Sequence, residues 1–147
     1  MSTPPPALYV AEPPSGRWAR PPLVVDCSAI SAILFDEPAR DEALTRLVGR
    51  SLHAPNLLDL EIVSVALKKR CQDWPAESLA LALGDYSEYE IELHPVDVDA
   101  QYELAARYQL SAYDAAYLWV AAALKAPLAT FDHKLATAAQ AHLNALP

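Results

Sequence analysis

The spacing of apolar and polar positions changes at residue 23. Before it, short apolar groups alternate with prolines, and more than half of the chain's 13 prolines fall there. Residues 1–22 therefore read as an extended, Pro-rich arm outside the fold. From Leu23 the pattern becomes regular. "LVVD" (23–26) is a run of branched apolar residues that ends on an acid, as a short buried strand would. Helical spacing follows over 28–34 and 39–49, and "SLHAP" (51–55) suits a short strand. A strong helix is expected over 57–70, with Asn56 as its cap. Pro75 opens another helix to about residue 87, and "YEIEL" (89–93) alternates like a strand. Asp97 or Asp99 caps a helix to about 108, and Ser111 caps one over 112–125. "PLATF" (127–131) is the next strand, a helix over 133–142 follows, and a short strand over 144–146 closes the chain. Strands alternating with helices through short loops predict an α/β domain over 23–147, with a mainly parallel sheet covered on both faces.

Composition narrows the function classes. Of 147 residues, 53% are apolar, enough for one domain with a core. No apolar run is long enough to cross a membrane. The first residues lack a secretory pattern, so a cytoplasmic location is expected. Cys27 and Cys71 lie in apolar segments far apart and read as reduced core thiols. The four histidines show no paired pattern, which argues against zinc. With 3 glycines in the chain there is no GxGxxG and no GxxxxGK[ST], which excludes dinucleotide and P-loop sites. A formal charge of −8 argues against loose binding to nucleic acid. It leaves room for a nuclease whose acids hold a cation.

Four acids sit where an α/β sheet places its ligands, beyond the carboxyl ends of strands or on neighbouring helix termini. Asp26 follows "LVV" and Asp132 follows "LATF". Each has an alternative role as a helix N-cap. Glu61 falls on the face of its helix that carries Leu57, Leu58 and Val65, where a carboxylate is costly unless paired or bound to metal. Its alternative is to lie at the edge of that stripe and reach water. Asp114 lies in "SAYDAAYLWVAAAL", where Ser111 and Asp114 also form the short version of a capping box. Asp59 fits a first-turn capping position and stays outside the set. Taken jointly, four acids at corresponding ends of four elements suggest a shared site. Clustered carboxylates raise one another's pKa unless a cation compensates, and a hard divalent ion does so.

"VVDCSA", "APNLLDLEIVSVALKK", "LSAYDAAYLWVA" and "LATFDHKLA" resemble, in order and spacing, the four motifs of a PIN domain. They resemble most closely the VapC-type toxins of bacterial toxin–antitoxin pairs, over about 23–143. The resemblance implies a three-layer α/β/α domain and a Mg²⁺- or Mn²⁺-dependent endoribonuclease. It carries Asp26, Glu61 and Asp114 over as metal ligands, with Asp132 as ligand or as a group that orients water. Ser28 and Thr130 match the small hydroxyl residues that support such a site. It also implies an RNA substrate, a VapB-like antitoxin and a homodimer. Two other readings remain beside it. One is a PIN-like scaffold that binds RNA or protein without cleaving it, against which the retention of all four acids speaks. The other is a receiver-type signalling domain, disfavoured because the first strand ends in a single acid and Lys134 falls inside the last helix.

Basic residues fit less closely. Lys68, Lys69 and Arg70 end the helix of Glu61 and suit its negative pole. Arg17, Arg20, Lys125 and Lys134 are further candidates for phosphate contact. The arm is longer than the family usually carries and holds "SGRWARPP". The plain reading is a loose or surface-packed extension; the alternative is that Trp18 is a packing anchor and Arg17 or Arg20 approaches the carboxylates.

Overall fold

The computed structural model describes residues 2–13 and 20–147. Trp18 and Arg17 lie outside the described residues. The elements are β1 (Tyr9–Ala11), β2 (Pro22–Val25), α1 (Cys27–Leu34), α2 (Arg40–Leu47), β3 (Ser51–Pro55), α3 (Leu57–Cys71), α4 (Ala76–Glu88), β4 (Glu92–His94), α5 (Val98–Tyr108), α6 (Ala112–Leu124), β5 (Leu128–Thr130) and α7 (His133–Asn144). The five strands form one sheet in the order β1-β5-β2-β3-β4. All neighbours are parallel except β1, which runs antiparallel to β5. Helices cover the sheet in the three-layer α/β/α arrangement expected from the alternation of elements.

The central strand β2 is short and wholly buried, and its branched side chains fill both faces as a parallel strand requires. Helix α6 crosses β2 and β3 and is buried on nearly every side, through Ala115, Ala116, Tyr117, Leu118, Val120 and Ala121. From β2 the chain moves outward through β3 to β4, then returns to place β5 on the other side of β2. The strand order thus reverses between β2 and β5, the point where open α/β sheets place a ligand crevice beyond the carboxyl ends of their strands.

Several expectations change. The arm is not wholly outside the fold, because Tyr9–Ala11 pairs with Leu128–Thr130 and closes the β5 edge of the sheet. Leu8 and Ala11 are buried, and Gln140 of α7 holds Glu12 through both of its backbone groups, at 3.2 and 2.9 Å. Asn56 does not cap α3; its backbone is already helical and its side chain makes no capping bond. The strand expected over 89–93 begins only at Glu92. Helix α4 runs on to Glu88, and Glu90 takes a left-handed turn at φ 49. No strand forms over 144–146, since α7 extends to Asn144. Cys71 is exposed at the end of α3 and Cys27 is half-buried; both thiols are free, but only Cys27 packs against the core.

Candidate active site

Asp26 stands at the carboxyl end of β2 and is 6% exposed. Its two suggested roles are both present. Oδ1 caps α1 by accepting from Ala29 N–H at 3.0 Å, and it also accepts from Ser28 Oγ at 2.6 Å. Oδ2 accepts from the hydroxyl of Thr130, the fully buried last residue of β5. Ser28 and Thr130 in turn fix the adjoining loop. Ser28 Oγ accepts from Phe131 N–H at 3.1 Å, and Thr130 Oγ1 accepts from Asp132 N–H at 3.0 Å. Two hydroxyls therefore lock the ends of β2 and β5 around one carboxylate.

The other acids face the same crevice from neighbouring elements. Glu61, half-buried one turn into α3, accepts from the Tyr117 hydroxyl at 2.7 Å. Asp114 lies in the first turn of α6, whose N-cap Ser111 accepts from Asp114 N–H at 3.1 Å. Asp132 caps α7, with Oδ1 accepting from Leu135 N–H at 3.0 Å. Asp59, which the sequence leaves outside the set, points instead to the Tyr86 hydroxyl at 2.6 Å.

Electrostatics ties the acids together. Burial pushes the Asp26 carboxyl up to about 6, against the pull of its three hydrogen bonds, and the charge of Asp114 adds to the rise. Glu61 is raised by burial and by Asp114, while the Tyr117 hydroxyl opposes the rise. Asp114 is itself raised by burial and then by Asp132, with Lys134 pulling it back. Asp114 is thus the charge that Asp26, Glu61 and Asp132 share. Lys134 brings a charge of opposite sign to bear on Asp114, which gives that lysine a place in the site. Lys69 does not share it, because its ammonium lies over the Trp74 ring at 5.1 Å and 3.7 Å from Glu37. Beside the acids a groove of ≈ 250 Å³ is lined by Cys27, Glu61, Lys68 and Tyr113, among others.

These residues fit a divalent cation. The donors are all carboxylate oxygens, and three of the acids, Asp26, Glu61 and Asp114, are held above the usual carboxylate range, as buried like charges are without a counter-ion. Among the described residues, no three of these acids bring ligand atoms within 4.8 Å of one another. An open array of this kind suits a hard divalent cation that keeps waters in its shell and does not need a closed protein cage.

A PIN domain model matches residues 23–141. The chain is 34% identical over 121 residues to Ribonuclease VapC9 of Mycobacterium tuberculosis and to a VapC ribonuclease of Mycobacterium bovis, covering 81% of this chain and 92% of each relative. Ribonuclease VapC1 of Mycobacterium tuberculosis is 32% identical over 120 residues, covering 78% of this chain and 89% of that protein. The chain is a PIN domain of the VapC type. The resemblance read from four short motifs is thereby borne out at the level of family and fold.

Two features of this PIN domain go beyond what the sequence pattern indicates. Tyr117 follows Asp114 by three positions on one helix face, a spacing that is available as a signal, but an aromatic in an apolar helix reads as core. The histidines show no pairing along the chain, yet His53 and His94 meet at 2.9 Å across β3 and β4. Forty-one positions separate them in the chain, so only strand register brings them together.

Proposed function

We propose that this PIN domain is a metal-dependent endoribonuclease and the toxin of a VapBC-like pair. It cleaves RNA phosphodiesters with Mg²⁺ or Mn²⁺ held by Asp26, Glu61, Asp114 and Asp132. The observation that carries the proposal is the buried Asp26, clasped by Ser28 and Thr130 and coupled through Asp114 to two further acids. When bound, the ion supplies Lewis acidity, making a water nucleophilic near neutral pH and steadying charge on the phosphate. The chain's own residues do the positioning. Ser28 and Thr130 donate to Asp26 and keep its carboxylate charged and fixed in direction. The Tyr117 hydroxyl does the same for Glu61 Oε1. Asp132 commits Oδ1 to its helix cap, which leaves Oδ2 to take a proton or orient a water. Lys134 and Lys68 give the rim of the crevice positive charge for the phosphate backbone.

The names of its relatives support an RNA substrate and a VapB-type antitoxin as partners for this chain. Homodimerisation, a cytoplasmic location and a division into an arm over 1–22, whose Tyr9–Ala11 docks on the sheet, and a nuclease domain over 23–147 belong to the same proposal. No helix among the described residues is long and apolar enough to cross a membrane. The deciding experiment incubates total cellular RNA with purified protein in Mg²⁺ or Mn²⁺, in EDTA, and with Asp26→Asn alongside. Discrete fragments that need the cation and vanish in the variant are expected. Folded protein that cuts nothing with either cation, or a variant that cuts as well as the parent, overturns the proposal.

A further inference from the structure

We infer that His53, Glu92 and His94 form a second metal site, for a borderline transition-metal ion of the Zn²⁺ class, across the outer strands β3 and β4. Parallel register sets His53 opposite Glu92 and Pro55 opposite His94. Glu92 and His94 are two apart on β4 and share a face, and His53 faces the same way from β3. Their ligand atoms all lie within 4.8 Å of one another. His53 Nδ1 is 2.9 Å from His94 Nε2 and 3.6 Å from Glu92 Oε2. A tetrahedral ion with bonds of about 2.0–2.1 Å sets its ligands about 3.3 Å apart. The two observed separations straddle that value, so small side-chain rotations close the shell.

The surroundings prepare the ligands. Ser51 Oγ lies 3.0 Å from His53 Nε2. With the His53 proton on Nε2 and donated to that hydroxyl, the Nδ1 lone pair is free to face its partners, the supporting contact that metal-binding imidazoles require. With that tautomer, His94 Nε2–H is the donor to the lone pair when no ion is bound. On binding, the His94 proton moves to its other ring nitrogen, and both imidazoles stay neutral. Glu92 is 67% exposed at its side chain, so an ion can enter from solvent and the fourth position is left to water. Two imidazoles and one carboxylate select Zn²⁺, Ni²⁺ or Cu²⁺ over Mg²⁺, the opposite preference to the all-oxygen crevice at Asp26.

The ion would staple the three-residue edge strand β4 to β3. Asn56 N–H, at the start of α3, donates to His94 O at 2.9 Å, so the staple also fixes the entry to the helix that carries Glu61.

The test uses the full chain without an affinity tag, stripped with EDTA and held in excess Mg²⁺ to fill the carboxylate crevice. Co²⁺ serves as the optical probe for Zn²⁺. The parent and Asp114→Asn are each expected to bind one equivalent with the visible absorption of tetrahedral Co²⁺. His94→Ala should lose that absorption and bind at least tenfold more weakly. Glu92→Gln, at an exposed position that does not threaten folding, should also weaken binding. Zn²⁺ should raise the melting temperature of the parent but not of His94→Ala. An unchanged spectrum in both site variants, loss of the signal in Asp114→Asn, or no Co²⁺ uptake by the parent overturns the inference.

Discussion

Replacing Asp26 by Asn should stabilise the metal-free protein at neutral pH while it removes the proposed catalysis. The folded carboxyl titrates near 6 against a reference of 3.8. The folded state therefore holds its proton more tightly than the unfolded state between those values. Stability falls as pH rises through that window and stays low above it. About two pKa units at about 1.36 kcal/mol each make a cost near 3 kcal/mol for ionising the buried group. The side chain is almost wholly out of water, so solvent screening removes little of this. An asparagine keeps the acceptor that Ser28 and Ala29 use, but its NH₂ forces the Thr130 hydroxyl to accept where it had donated, at about 1 kcal/mol. The net gain at pH 7.5 is about 2 kcal/mol, or roughly 4–8 °C in Tm for a chain of this size. Urea unfolding in EDTA at pH 4 and pH 7.5 measures it. The Asp26→Asn variant should be no more stable than the parent at pH 4 and more stable at pH 7.5, and Mg²⁺ should narrow the gap by binding the parent alone. If the variant is less stable by the same amount at both pH values, the buried carboxyl is not ionised at a cost and the reasoning fails.

Other outcomes follow from neighbouring contacts. Tyr117→Phe removes the donor to Glu61 and should cost about 1–2 kcal/mol in urea unfolding. It should also shift the acid limb of RNA cleavage upward, since Glu61 loses the bond that lowers its pKa; an unmoved pH profile counts against this role. Thr130→Val deletes the donor to Asp26 and the acceptor of Asp132 N–H, so a loss of about 2–4 kcal/mol and at least tenfold in cleavage is expected. Thr130→Ser should restore most of both. Deleting residues 1–13 uncovers the β5 edge, which should lower Tm and promote concentration-dependent association seen by light scattering; an unchanged, monodisperse protein would refute that role for β1.

What local periodicity controls is legible in the sequence. Helices α1 to α7 fall within a few residues of their expected spans because their apolar spacing and caps are local, as at Asp97 and Ser111. Asp26, Glu61, Asp114 and Asp132 stand out because charge at strand ends and inside an apolar face is costly without a reason. The features that stay hidden are non-local. Tyr9–Ala11 is a strand only because β5 offers an open edge more than a hundred positions away. The His53–His94 pair depends on register between two parallel strands. Tyr117 bonds Glu61 because α6 brings its hydroxyl to α3, and nothing in its own neighbourhood announces that.

The hydroxyl that holds Asp26 comes from a residue 104 positions later in the chain. Translation delivers the first of these long before the second, and domains complete their folding as units. Until β5 has been made, Asp26 lacks its buried partner and Tyr9–Ala11 has no strand to join. A chain built this way leaves the cluster around Asp26 unassembled while the hundred residues between the two strands are made. On the proposed reading, the nascent chain has no completed centre to cut with until β5 has emerged.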